Sequence, residues 1–179
     1  MGIEVITRQM NITNHAGLTA VDKSHLVKMR NKSLRDCFKL LDDIPHKMEF
    51  VARIQDKRFV DDAASRNINA TWYALESTEG SIIWIANGSN DTVDYRRLAN
   101  VVAQKVKMIL CVGGSSDSLH KAFGKLSPTI LDCPSMENAV YNALYNGLEK
   151  ATVIYSPSVD HATGVHEDGQ SFRKEVCEL

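Results

Sequence analysis

Apolar runs of β type alternate with amphipathic helical stretches through most of this chain, and few folds accommodate that pattern. Ser81–Ala86 (SIIWIA), Lys107–Val112 (KMILCV), Thr129–Leu131 and Thr152–Tyr155 are almost uninterrupted apolar runs. Such runs suit strands covered on both faces, as in parallel sheets. Between them lie clean helical stripes: Tyr95, Leu98, Ala99 and Val102; then Leu119, Ala122 and Phe123; then Met136, Ala139, Val140, Ala143, Leu144, Gly147 and Leu148. Ahead of these units, Met48–Ile54 and Arg58–Val60 flank Gln55–Asp56–Lys57 and read as a hairpin. A last helix is expected over Gln170–Glu178. The expected fold is α/β: a three-layer sandwich, its mainly parallel sheet opening with an antiparallel hairpin and joined by right-handed crossovers.

The first 45 residues do not share this alternation. Leu18, Val21, Leu26 and Met29 fall on one helical face, and His25 shares it, so His25 is expected to be packed or partly buried rather than catalytic. A second helix is expected after a Ser33 cap, carrying Leu34, Cys37, Phe38 and Leu41 and stopped by Asp42–Asp43–Ile44–Pro45. Helices without strands between them read as an appendage or the end of a preceding domain. The organisation expected is therefore residues 1–45 as such a piece and residues 46–179 as the α/β domain.

Bulk properties exclude several function classes. The 179 residues carry 21 basic and 22 acidic side chains, a net charge of −1, with no long run of either sign. Nucleic acid and anionic membrane surfaces are thus poor partners. No apolar stretch nears the roughly 18 residues that span a bilayer. The N-terminus lacks a basic region followed by an apolar core, and Ile6 rules out the myristoylation pattern after Gly2. Cys37, Cys111, Cys133 and Cys177 are widely spaced, without a C-x-x-C, and read as reduced thiols of a cytoplasmic protein.

Chemistry is expected where apolar strands give way to small and polar residues. Val60 leads to Asp61–Asp62–Ala63, Ala86 to Asn87–Gly88–Ser89, Val112 to Gly113–Gly114–Ser115, and Tyr155 to Ser156–Pro157–Ser158. In a parallel sheet these loops gather along the carboxyl edge, where α/β folds bind ligands. Phe59–Tyr73 is such a strand-loop-helix junction, with Asn67 ahead of a helix on which Ile68, Trp72 and Leu75 share a face. Adjacent Asp61 and Asp62 point to opposite sides, so one of them faces the site. There is no G-x-x-x-x-G-K-[ST] in the sequence, and Gly113–Gly114 lacks the G-x-G-x-x-G spacing. Asp160, His161, His166, Glu167 and Asp168 match no metal-ligand spacing and read as a solvated loop, so no metal site is expected. Ser156 lies outside a G-x-S-x-G elbow. Trp72 and Trp84 read as core.

Longer runs carry a family resemblance. IPHKMEFVARIQDKRFVDDAASRNINATWYALES resembles the start of the C-terminal domain of the Mur ligases, nearest to the branch that adds D-glutamate. WIANGSNDTVDYRRL, VKMILCVG, LHKAFG, MENAVYNAL, TVIYSPS and EDGQSFRKEVCEL follow in the family's order. NITNHAGLTAV is similar to the H-N-x-x-N helix that ends the family's ATPase domain, and RNKSLRDCFKLLDDIPHKMEF to the link between domains. The resemblance covers nearly the whole chain. It implies a Rossmann-like domain of an ATP- and magnesium-dependent ligase that forms an amide in peptidoglycan precursor synthesis. The partners implied are the N-terminal and central ATPase domains of a parent enzyme, in a monomer, with D-glutamate as the incoming amino acid. By the same resemblance Asn11, Asn14, His46, Lys47, Asp62 and Asn67 stand on the nucleotide side, and Arg66, Ser156 and His161 on the amino-acid side.

The departures from the family pattern fall on the ligand loops. Lys47 replaces the linker Arg and loses its bidentate fork. In the family's D-S-K-A-T-N loop, Ala63 and Ala64 replace Ser and Lys, and Arg66 replaces Thr. Asp91 stands where the G-G-x-D-K-G loop has Lys, and Val159–Asp160–His161 falls in a run of small residues. Lost cations and added carboxylates oppose an acidic ligand, although Arg66 and Lys47 are positioned to supply replacement charge. The expectation is a ligase C-terminal domain with a degraded site, holding no catalytic residue and binding no cofactor tightly by itself. The rival readings are a ligase fragment of altered amino-acid specificity and a non-enzymatic Rossmann-like interaction module. On the core assignment, Trp72→Ala is expected to cost about 3–5 kcal/mol in denaturant unfolding; a loss below about 1 kcal/mol would mean that the helix faces outward.

Overall fold

In the computed structural model, which describes residues 20–39, 44–88, 93–126, 129–160 and 164–179, the apolar runs pair into one six-stranded sheet. The hairpin forms as the sequence implies: β1 (Glu49–Ile54) and β2 (Lys57–Asp61) are antiparallel, with a bulge between Phe50 and Ala52. The remaining strands are β3 (Ile82–Asn87), β4 (Val106–Val112), β5 (Thr129–Cys133) and β6 (Ala151–Tyr155), and they pair in parallel. The order across the sheet is β1-β2-β6-β3-β4-β5. β6 returns between β2 and β3, so the carboxyl ends of those three strands lie side by side. This is the α/β class expected, with the hairpin antiparallel and the rest parallel.

Helices cover both faces. α5 (Met136–Tyr145) and α6 (Val165–Cys177) pack Ala139, Val140, Ala143, Leu144, Phe172 and Val176 against Phe59, Ile83, Ile85, Val153 and Tyr155. Tyr155 stacks on Phe172 with ring centroids 5.6 Å apart. On the other side lie α2 (Ile68–Ser77), a 3-10 turn (Tyr95–Leu98), α3 (Ala99–Lys105) and α4 (Asp117–Phe123). Trp84, Tyr95 and Phe123 meet edge to face there at 6.0–6.3 Å, an arrangement favoured by the ring quadrupoles. Trp72 is 4% exposed, in agreement with its assignment to the core.

The chain falls into two compact units, Met1–Cys37 and Phe38–Leu179. Three helical expectations are corrected. α1 (Ala20–Lys39) runs straight through Ser33, where a break was expected. A single Ser inside a helix costs only a fraction of a kcal/mol, roughly half, and no Gly or Pro interrupts the segment. His25, expected to be packed or partly buried, is exposed, as are Leu26 and Met29. α6 begins at Val165, one turn before Gln170. The Glu167 carboxylate accepts the Gly164 N–H at 2.9 Å and starts that extra turn. Residues 166–168 are therefore helical rather than a solvated loop.

The loops that leave β3 and β4 touch at Gly88. A Cβ there would lie 1.9 Å from the Gly113 carbonyl oxygen and 2.7 Å from the Gly114 carbonyl carbon. Both neighbours are backbone and cannot swing aside. Gly88→Ala is expected to destabilise the protein by about 1–3 kcal/mol, measured by urea unfolding; a change within about 0.5 kcal/mol would contradict this close approach.

Candidate functional site

The carboxyl edge of β2 carries two aspartates with no accessible surface, and they look in different directions. Asp61 faces the linker and α6. Its Oδ1 accepts the Ala63 N–H at 3.1 Å, and its Oδ2 accepts His46 Nδ1–H at 2.7 Å and Arg173 Nε–H at 2.6 Å. Arg173 also pairs with Glu49 on β1. With Nδ1 donating to Asp61, His46 Nε2 is left to accept from His166 Nδ1 at 3.1 Å. The His46 ring lies on Gly169, where a Cβ would come within 2.1 Å of Nδ1. His46 (φ 60°) and Met48 (φ 53°) both occupy the left-handed region. That backbone is costly for residues with a Cβ, and the anchored ring holds it in place.

Asp62 faces the opposite layer. Its Oδ1 accepts the Met48 N–H at 3.2 Å, and Lys47 Nζ stands 3.9 Å away. Its Oδ2 is buried without a hydrogen-bond partner, as is Ser65 Oγ. Burial pushes the Asp62 pKa up to about 7, against the opposing pull of the Lys47 ammonium and the Met48 N–H. Lys47 is itself buried. Its ammonium lies 4.9 Å from the Phe38 ring centroid and 5.5 Å from that of Tyr73, and these two rings stack at 5.1 Å. Lys47 is thus caged between two aromatic rings and a carboxylate.

On the side of α2, Asn67 caps the helix, its Oδ1 accepting the Asn69 and Ala70 N–H groups. Arg66 reaches across to the segment after β6. Its Nη1 donates to Asp160 at 3.0 Å and its Nη2 to Asp168 on α6 at 2.5 Å. A cavity of about 350 Å³ opens beside it, lined by Arg66, Asn67, Ile68, Ser158, Val159 and Asp160 among others. Ser156 is turned inward: its Oγ bonds Thr71 Oγ1 at 2.9 Å, and its carbonyl accepts Trp84 Nε1–H at 2.8 Å. Of the residues singled out in the sequence, Arg66 and Asn67 share this cavity, while His46, Lys47 and Asp62 are buried and do not line it, His46 beside Asp61 and Lys47 beside Asp62. Asn11, Asn14 and His161 lie outside the described residues.

His46, Glu49 and Asp61 each offer a ligand atom to a common point. The Arg173 guanidinium already occupies both carboxylates, so this cluster does not suit a divalent cation. Of the residues placed on the nucleotide side, Asp62 is fully buried and His46 and Lys47 are 6% and 9% exposed, whereas Asn67 is exposed. Sequence reasoning missed Arg173, which stands 112 residues from Asp61. It also missed Phe38 and Tyr73 as a cage, since their spacing reads only as helical stripe.

No protein-family model matches the chain. Over 92% of its length it is 32% identical to the UDP-N-acetylmuramoylalanine–D-glutamate ligase of Porphyromonas gingivalis. It is 31% identical over 87% of its length to the ligase of the same name from Christiangramia forsetii. The chain spans 37% and 36% of the length of these two curated relatives. Among solved structures, a murein peptide ligase from Psychrobacter arcticus superposes with a TM-score of 0.54 at 14% identity, over 76% of this chain and 31% of that one. That likeness concerns the fold alone. The resemblance to Mur ligases read from the motifs is borne out by the curated relatives.

The raised Asp62 pKa makes stability depend on pH. The folded state holds the Asp62 proton up to about 7, whereas the unfolded chain releases it near the ordinary 3.8. The folded state therefore binds more protons between those values, and this contribution to stability falls as pH rises through them. Relative to Asp62→Asn, the wild type is expected to lose about 1 kcal/mol per pH unit from about pH 5 to about pH 7 in chemical unfolding. A difference that stays flat over that range would mean that Asp62 is already ionised in the folded protein.

Proposed function

We propose that residues 46–179 are the amino-acid-binding, C-terminal domain of a MurD-like ligase, and that the ligand edge of this chain is degraded. The curated relatives are named as ligases that join D-glutamate to UDP-N-acetylmuramoylalanine. On this reading the parent reaction builds a peptidoglycan precursor in the cytoplasm. A central ATPase domain brings ATP and magnesium and activates a carboxylate, and the amine of D-glutamate attacks it. The role of this domain is to align the amine, so its contribution is positional and electrostatic. The 179 residues contain no P-loop motif, and on this reading they do not ligate by themselves.

One observation carries the degraded-site half of the proposal: among the described residues, Lys47 and Arg66, the two cations in place to supply replacement charge, already face carboxylates within the chain. Lys47 is caged against Asp62, and Arg66 is held by Asp160 and Asp168. An acidic amino acid entering the 350 Å³ cavity meets the largely exposed carboxylate of Asp160 at its mouth and no free cation among the described lining residues. To bind, it must displace an existing ion pair, which offsets much of the gain.

The test is a titration of the full chain with D-glutamate, then with ATP and magnesium, followed through backbone amide shifts. The expected result is no saturable shift at residues 61–67 or 156–160. Saturable shifts there with D-glutamate would overturn the degraded site and leave a working domain that has lost none of its specificity.

A further inference from the structure

The hairpin that opens the sheet holds a like-charge pair near its turn. Arg53 on β1 and Arg58 on β2 are direct cross-strand partners. Like charges placed directly opposite each other destabilise a sheet. Neither guanidinium makes an ion pair with a carboxylate among the described residues; Arg58 instead lies over the Phe50 ring, 5.6 Å from its centroid. One strand further in, Thr152 on β6 is the partner of Arg58. Lys150, just before β6, brings a third cation to the same place, again without an ion pair among the described residues. These side chains line a cavity of about 360 Å³ at the amino ends of the parallel strands, the edge opposite the candidate site. Asp56 and Glu79 also line it and leave a net charge of +1 from three cations and two carboxylates. Neither of those carboxylates is paired with the three cations.

We propose that this cavity is a binding site for a compact, soluble phosphate-bearing anion of the diphosphate class. Two guanidiniums held side by side by strand pairing present planar donor forks, the geometry that suits phosphate oxygens. The Ser81 and Thr152 hydroxyls at the cavity wall add neutral donors. An anion seated between Arg53 and Arg58 converts their repulsion into two attractive contacts, which explains how the pair is tolerated. The site is independent of the carboxyl-edge cavity, so it stands or falls apart from the ligase reading.

Inorganic pyrophosphate is the probe, added to the full chain and followed by amide shifts and thermal unfolding. Saturable shifts are expected at residues 53–58, 79–81 and 150–152, with a rise in melting temperature. Arg58→Gln and Lys150→Gln, both exposed positions, are each expected to weaken binding roughly tenfold while leaving the remaining spectrum unchanged. Arg53→Gln is expected to raise the melting temperature without pyrophosphate, by relieving the repulsion, and to lose most of the increment with it. Shifts that grow linearly and are reproduced by sodium chloride at equal ionic strength would overturn the site, as would variants that bind as well as the parent.

Discussion

The buried carboxylate of Asp61 is the point on which the ligand edge depends. It sits at the end of β2 with no access to water, so its charge must be met inside the protein. Three parts of the chain converge to do so: His46 from the linker, Arg173 from α6, and the Ala63 N–H from the following loop. Arg173 extends the network to Glu49 on β1. Removing Arg173 takes away the guanidinium that meets this carboxylate in a dry place. The linker, the hairpin and the last helix are therefore fixed relative to the loop after β2 by one network. Gly169 belongs to it as well, because only a residue without a Cβ lets α6 lie against the His46 ring.

The same principle, that buried charge seeks a partner within the chain, shapes the rest of the edge. Strand geometry sends Asp62 away from Asp61 and toward Lys47, its nearest cation among the described residues. Lys47 in turn is covered by Phe38 and Tyr73. Arg66 is drawn to Asp160 and Asp168. The edge carries a capped helix N-terminus with a cavity beside it. Among the described residues, Lys47, Arg66 and Arg173 each face a carboxylate of the chain. The apolar layers on either side of the sheet do not depend on these loops.

Much of the architecture was legible in the sequence, for a local reason. Apolar runs such as SIIWIA and KMILCV leave little choice but strands covered on both faces, and the stripe from Met136 to Leu148 fixes the face of α5. Trp72 and Trp84 were legible as core because large aromatic side chains on a regular stripe have nowhere else to go. The errors came where the signal is weak. Ser33 resembles a cap but costs a helix interior little, so α1 continues through it. The first turn of α6 depends on Glu167 reaching back to Gly164, and its charged residues masked the helical pattern.

Within the candidate site, the sequence by itself determined the identities and the edge: two aspartates after an apolar strand, Asn67 ready to cap a helix, and departures from the Mur ligase pattern concentrated in the loops. Only the tertiary structure decided which charges meet. Asp61 finds Arg173 across 112 residues, and Arg66 finds Asp168 across 102. No local periodicity encodes such pairs. They follow from strand order, which sets β2 beside β6 and brings α6 against the hairpin, and from burial, which makes each unpaired charge too costly to leave alone.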